Sequence, residues 1–238
     1  MTRRRSAEAD ATSGWMLAIE TSNPSADGPG PGPGVAVRTP DGEIGAEPLN
    51  EGSARDDDLL PAIERLRERL DLAPSGLGAV AVSLGPGGYT ALRTSIMTAA
   101  TLAEVNGARL FGVPTSLSLA EALDDNAFPA LICLASKRRT AHATVVAGRG
   151  DQTQDLGVME ASSLHFGRYR TVVADRFLPQ TFSDAAHASG TPIVAPTFDA
   201  RLVLRAASAL PAVPPAEIRP LYGREPEAVR QWRLRHTP

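Results

Sequence analysis

Residues 77–93 read LGAVAVSLGPGGYTALR and join a strand to a helix in one short run. Leu77 to Leu84 is apolar and of strand length, which is typical of a strand buried on both faces. Gly85-Pro86-Gly87-Gly88 then predicts a tight turn, because glycine and proline interrupt regular structure. Apolar residues at helical spacing follow directly and predict a helix over residues 90–105. A buried strand that passes through a turn into a helix indicates an α/β fold.

The segments on either side extend this unit into a mixed sheet covered by helices. Short apolar or alternating runs between turn residues predict strands over residues 15–20, 34–38, 43–49 and 108–113. Helical spacing predicts helices over residues 57–70 and 116–123. The first three strands form a meander, whereas the later ones need helical crossovers and are therefore parallel. Alternating proline and glycine over residues 23–34 predict a mobile surface loop.

The same pattern starts again after residue 124. Residues 130–135 and 140–147 predict a hairpin with its turn at residues 136–139. Strand and helix signals follow over residues 171–174, 192–195 and 198–209. We therefore predict a disordered tail over residues 1–14, a first lobe over residues 15–123 and a second lobe over residues 124–238, each lobe with its own sheet flanked by helices.

Composition narrows the class of protein. Hydrophobic residues make up 42% of the 238 residues, which is enough for a substantial core. No apolar run approaches the ~20 residues of a membrane helix, and no such run follows the basic start as in a signal peptide. We therefore predict a cytoplasmic protein with no membrane contact. The net charge of -3 argues against a module that binds RNA unaided.

Two polar motifs at strand ends are candidates for the remnant of a nucleotide site. Glu20, Thr21 and Ser22 place an acid and two hydroxyls after the first strand, as in many metal and phosphate sites. The turn and helix start that contain Gly85, Gly87, Gly88 and Thr90 offer backbone N–H groups to a phosphate. The turn lacks the Lys-Ser/Thr ending of a P-loop. A plain tight turn and a strand end with hydroxyl turn bonds are the structural alternatives.

A cysteine and a histidine form the one candidate pair for nucleophilic catalysis. If the second hairpin closes evenly, Cys133 and His142 stand opposite each other. A lone buried cysteine is more often a small hydrophobic residue. Because Cys133 is the only cysteine, an intrachain disulfide and a cysteine-based zinc cluster are excluded. The other three histidines show no ligand spacing, so catalysis by this chain alone is not indicated.

Several motifs resemble those of one protein family. In chain order they are Leu17-Ala18-Ile19-Glu20-Thr21-Ser22, Leu59-Leu60-Pro61, Ala79-Val80-Ala81-Val82, Gly85-Pro86-Gly87-Gly88-Tyr89-Thr90-Ala91-Leu92-Arg93, Gly112-Val113, Pro220-Leu221-Tyr222 and Pro226-Glu227-Ala228. Together they resemble the bacterial tRNA threonylcarbamoyladenosine biosynthesis family TsaB, most specifically from residue 15 to about residue 123. This resemblance implies the actin-like ATPase, or ribonuclease H-like, fold with two lobes.

The resemblance also implies a function in tRNA modification. Members of the family pair with a TsaD-like catalytic subunit, and with a TsaE-like ATPase, to place a threonylcarbamoyl group on an adenosine next to the anticodon. The chain is then a scaffold that reaches tRNA through the complex and forms a homodimer when alone. It needs no cofactor of its own, although the heterodimer interface is a place for ATP or ADP.

The chain differs in one motif from the catalytic subunits that it resembles. TsaD-like subunits carry an Asn-His-x-x-x-His motif whose histidines hold a metal, and the matching positions here are Pro114, Thr115 and Leu119. A hydroxyl and an aliphatic side chain cannot replace two imidazoles, so we predict no metal site. The family also has Asp where Glu20 stands, which argues against nucleotide binding in the first lobe.

The helices over residues 57–70 and 90–105 are the partner-binding pair that the resemblance implies. We expect Leu59, Ile63, Leu66, Ile96 and Ala100 to divide between core and interface. The alternative is that all five lie in the core. At the level of function, the alternatives are a stand-alone phosphotransferase or acyltransferase with the actin-like fold, a glycoprotease-like peptidase and a free-standing RNA-binding module.

Overall fold

The computed structural model describes residues 14–23, 30–50, 55–137, 139–151 and 153–222, together with Trp232 and Arg235. The elements in chain order are β1 (Trp15–Glu20), β2 (Gly34–Arg38), β3 (Ile44–Pro48), α1 (Arg55–Arg69), β4 (Leu77–Gly85), α2 (Tyr89–Asn106), β5 (Arg109–Pro114), α3 (Thr115–Ala120), β6 (Ala130–Ala135), β7 (Ala141–Val146), β8 (Thr153–Met159), β9 (Thr171–Ala174), α4 (Gln180–Ala188), β10 (Ile193–Val194) and α5 (Ala200–Ala207). The predicted tail, apart from Gly14, lies outside the described residues, as do residues 24–29 of the predicted loop.

Two five-stranded sheets repeat one arrangement. The first has the order β3-β2-β1-β4-β5, in which β2 is antiparallel to both neighbours and β1, β4 and β5 are parallel. The second has the order β8-β7-β6-β9-β10, in which β7 is antiparallel to both neighbours and β6, β9 and β10 are parallel. The predicted fold class, two mixed sheets flanked by helices, is confirmed.

The first sheet is covered on both faces because side chains alternate along its strands. Leu17 and Ile19 of β1 lie in the core that α1 and α2 close. Met16 and Ala18 lie in the opposite core, which α5 closes with Val203 among others. Thus α5, which belongs to the segment predicted as the second lobe, returns to cover the first sheet.

Two elements of the second sheet and its cover were missing from the sequence prediction. β8 is a partly exposed edge strand in which polar and apolar residues do not alternate regularly, and Gly157 at φ +74° interrupts it. α4 buries only Phe182 and Ala186, so its apolar face is too narrow to show helical spacing. The elements that were predicted lie within a few residues of their observed bounds.

Candidate functional site

Glu20 lies at the end of β1 in an unusual environment. It is only 1% exposed, and its Oε1 accepts hydrogen bonds from the backbone N–H and the hydroxyl of Ser22, both at 2.6 Å. Its Oε2 has no hydrogen-bond partner among the described residues. Burial raises the pKa of Glu20, the hydrogen bonds from Ser22 oppose this, and the Asp199 carboxylate adds to the rise. The surroundings of Glu20 therefore disfavour its ionised form relative to the same side chain in water.

The glycine turn after β4 packs directly against the end of β1. A Cβ atom on Gly87 would clash with the carbonyl oxygen of Ser22, and the N–H of Gly88 donates to that same oxygen at 2.8 Å. Gly85 has φ +93°, a conformation that favours glycine. The glycines are thus required for close packing, and one N–H group of a would-be phosphate cradle is already occupied. This geometry supports the tight-turn alternative.

The remaining members of the predicted remnant do not converge on an open site. Thr21 is buried, and its hydroxyl donates to the carbonyl oxygen of Ala91 at 3.3 Å. Thr90 is exposed on the first turn of α2. The structure thus gathers Glu20, Thr21 and Ser22 at a packed strand end and leaves Thr90 outside it.

The junction between β5 and α3 holds the positions where TsaD-like subunits have histidines. Thr115 is completely buried, and its Oγ1 lies 3.0 Å from Oγ of Ser83. Leu119 is also buried, in a core that α3 shares with the second sheet. In the part of the chain that the structure describes, no three His, Cys, Asp or Glu side chains come together as a metal-binding group.

The predicted pairing of Cys133 with His142 is wrong. The hairpin pairs Cys133 with Ala143, and His142 lies opposite Leu134. A shift of one residue moves a side chain to the other face of a sheet, so the two groups point away from each other. Burial raises the pKa of Cys133 to about 12. His142 instead places Nε2 3.2 Å from Oδ1 of Asp155, and its pKa is lowered by burial against the opposing effect of that carboxylate.

The predicted interface residues lie mainly in the core. Leu59, Ile63, Leu66 and Ile96 are buried in the core between α1, α2 and the first sheet. Ala100 is partly buried and packs against the same core. These four buried side chains have little surface to offer a partner.

Other apolar side chains of α1 and α2 are exposed. They are Leu60 at 58%, Met97 at 64% and Val105 at 78%. Tyr89, Arg93 and Met97 follow one another at intervals of four along α2, so they share one outward face. The sequence shows this spacing, but it does not show which apolar side chains of α2 face the core and which face the solvent. We call Leu60, Met97 and Val105 the outer apolar face.

The C-terminal motif that contributed to the resemblance meets the start of α2. The N–H of Leu221 donates to the carbonyl oxygen of Leu84 at 2.8 Å, which fixes this segment beside β4. The rings of Tyr222 and Tyr89 stack with centroids 5.2 Å apart, and the guanidinium of Arg93 lies 4.7 Å from the Tyr89 centroid. The C-terminal motif therefore contacts the motif that begins with the glycine turn.

A protein-family model matches this region. The model is described as TsaD, tRNA N6-adenosine threonylcarbamoyltransferase, and it matches residues 45–163, which is half of the chain. The chain belongs to the TsaD family. The match includes α1, α2 and the junction between β5 and α3. The family predicted from the sequence is confirmed.

Solved structures agree with the TsaD-family fold. An uncharacterized protein with similarity to peptidase YeaZ, from Pseudomonas aeruginosa, has a TM-score of 0.71 and 16% identity over 89% of this chain and 100% of that chain. YeaZ from Pseudomonas aeruginosa has a TM-score of 0.69 and 16% identity over 88% of this chain and 99% of that chain. At this identity the likeness shows the fold alone. No curated protein matches the chain.

None of the described helices of this TsaD-family chain combines the length and the apolar character that crossing a membrane demands.

Proposed function

We propose that this chain is the non-catalytic partner of a TsaD-type catalytic subunit in threonylcarbamoylation of tRNA. The observation that carries the proposal is the junction between β5 and α3. The resemblance matches Thr115 and Leu119 to the two metal-binding histidines of TsaD-like subunits, and both side chains are buried in packed surroundings. Neither a hydroxyl bonded to Ser83 nor an aliphatic side chain supplies the nitrogen ligands of such a metal.

The end of β1 supports the same proposal and disfavours a stand-alone phosphotransferase. Such an enzyme needs free N–H groups and a cation for the transferred phosphate. Here the N–H of Gly88 donates to the carbonyl oxygen of Ser22, and among the described residues no salt bridge joins the buried Glu20 to a cation. A peptidase is disfavoured as well, because Cys133 and His142 lie on opposite faces.

The outer apolar face is the surface that we assign to the partner. Three large apolar side chains are exposed on these helices, namely Leu60 on α1 and Met97 and Val105 on α2. Single exposed apolar residues are common on protein surfaces, whereas a set of them on two adjacent helices indicates a contact surface. We place the ATP or ADP of this proposal at the heterodimer interface and not at the packed end of β1. A homodimer through the same face is the state we propose for the chain alone, and the cytoplasm is the compartment.

Reconstitution tests this proposal. Transcribed tRNA is incubated with the catalytic subunit, the TsaE-like ATPase and a source of the acyl-adenylate, with and without this chain, and its nucleosides are quantified by mass spectrometry. We expect modification only when this chain is present, and none from this chain alone. Equal modification without the chain, together with separate elution of the two proteins, would refute the proposal.

A further inference from the structure

Exposed cations gather at the carboxyl edge of the second sheet. Lys137 and Arg139 lie in the turn between β6 and β7, Arg176 directly follows β9, and all three are exposed. β6 and β9 are parallel neighbours with Cys133 opposite Ala174, so the two loops leave the sheet side by side. We call Lys137, Arg139 and Arg176 the basic edge.

The acid nearest in sequence does not neutralise the basic edge. Asp175 is partly buried and accepts hydrogen bonds from the N–H of Phe177 at 2.9 Å and from Nδ2 of Asn23 at 3.3 Å. Among the described residues, no salt bridge joins Lys137 or Arg139 to a carboxylate. Lys137, Arg139 and Arg176 thus outnumber the one acid that adjoins them, so this edge carries more positive than negative groups on a chain whose net charge is -3.

An exposed aromatic ring adjoins these cations. Phe177 is 51% exposed, and the guanidinium of Arg176 lies 4.8 Å from its ring centroid. Cations that follow a phosphate backbone, combined with a ring on which a base can stack, are the usual surface for single-stranded nucleic acid. RNA engages both features at once, because its phosphates pair with the cations and an unstacked base packs on the ring. The combination favours RNA.

We propose that the basic edge and Phe177 contact the RNA substrate directly, with the cations on phosphates and the ring on an unpaired base. The inference rests on the proposed function, which supplies a tRNA. Loops of RNA present unstacked bases to aromatic side chains, whereas duplex regions present mainly phosphates and hydroxyls. The sequence predicted that tRNA is reached through the complex. The inference adds that part of the contact lies on this chain.

The test measures binding of a fluorescently labelled tRNA to the full chain by anisotropy, between about 50 and about 200 mM salt. The double variant Lys137→Gln/Arg139→Asn removes two cations, and asparagine tolerates the φ of +64° at residue 139. We expect about tenfold weaker binding and a shallower salt dependence, because fewer counterions are released. The control Arg168→Gln/Arg205→Gln removes two exposed cations elsewhere and should leave binding unchanged.

A second variant tests the ring. Phe177→Leu keeps an apolar side chain but removes the stacking face, so it should weaken binding of a single-stranded oligonucleotide about tenfold and leave binding of duplex RNA unchanged. Absence of measurable tRNA binding at low salt, or equal losses in the basic-edge and control variants, would overturn the inference. So would displacement of the tRNA by polyglutamate or by ATP at matched charge, since either assigns the cations to another ligand.

Failure of this inference is distinguishable from failure of the proposed function. In the reconstituted reaction, Lys137→Gln/Arg139→Asn should still elute with the catalytic subunit while modification slows. If the reaction proceeds without the wild-type chain, the proposed function fails. The anisotropy measurement still decides whether this surface binds RNA. If the chain is required and the variant modifies tRNA at the wild-type rate, the RNA contact fails alone.

Discussion

Glu20 shows at the residue scale how burial creates an unusual acid. A buried carboxyl that keeps one unpaired oxygen pays a large desolvation cost when it ionises, which is why burial raises its pKa. The folded state therefore holds the proton more tightly than the unfolded state does. Its contribution to stability is complete below the ordinary value of 4.5 and is lost as pH rises through the raised pKa of the folded state.

Glu20→Gln should remove this loss. We expect the variant to melt at a higher temperature than the wild type at about pH 8, with the difference shrinking towards about pH 4. Thermal unfolding followed by circular dichroism across this range measures it, and the exposed Glu43→Gln is the matched control. A difference that stays constant with pH, or that grows as pH falls, would contradict a raised pKa of Glu20.

Cys133 gives a second prediction at this scale. Burial raises its thiol pKa to about 12, so very little reactive thiolate is present near neutral pH. Iodoacetamide should fail to alkylate the folded chain at about pH 8 but should modify it fully in denaturant, as measured by intact mass. Because Cys133 is the only cysteine, one added group is the largest expected change. Rapid alkylation of the folded chain would point to a reactive nucleophile.

At the scale of elements, α2 serves both the core and the surface. Its buried side, which includes Leu92, Ile96 and Ala99, packs on the first sheet. Its outward side carries Tyr89, Arg93 and Met97. The helical period of 3.6 residues separates these two sides, and the sequence alone did not say which residues belonged to which.

Met97→Asp tests the outward side. Met97 is 64% exposed, so the variant should fold normally, while a charge in an apolar interface should weaken association with the catalytic subunit about tenfold or more. Co-elution and titration measure this, with Val158→Asp on β8 as a control at another partly exposed apolar site. Ala100→Arg is a less clean test, because Ala100 packs against the core. If Met97→Asp associates as strongly as the wild type, the interface does not include this side of α2.

At the scale of the whole molecule, α5 makes the two parts of the chain interdependent. It closes one face of the first sheet with Val203, Leu204 and Ala207, although the chain reaches it only after building the second sheet. A fragment that ends at residue 123 therefore leaves that face of the sheet in water. Domains usually fold alone only when their own core is complete.

The fragment of residues 1–123 should consequently fail to unfold cooperatively. A synthetic peptide of residues 196–212, which contains α5, should restore a cooperative transition when added. In the full chain, Leu204→Ala should lower the free energy of unfolding by about 2–5 kcal/mol, measured with denaturant. A fragment that melts near the temperature of the whole chain would show that the first lobe folds without α5.

The sequence by itself determined the local architecture and the family. The bounds of β1, β2, β6 and β9 follow from short apolar runs between turn residues, since strand length and punctuation are local properties. The sequence also shows Thr115 and Leu119 at the positions that the resemblance matches to two histidines, because the identity of a residue does not depend on packing.

Tertiary structure decided the features that depend on distant contacts. One residue of register separates His142 from Cys133, and register is set by which face the whole sheet buries. The return of α5 to the first sheet and the side-by-side placement of the loops after β6 and β9 each join segments far apart in the chain. Local propensity carries no information about such pairs, because their geometry is fixed only when both sheets have formed.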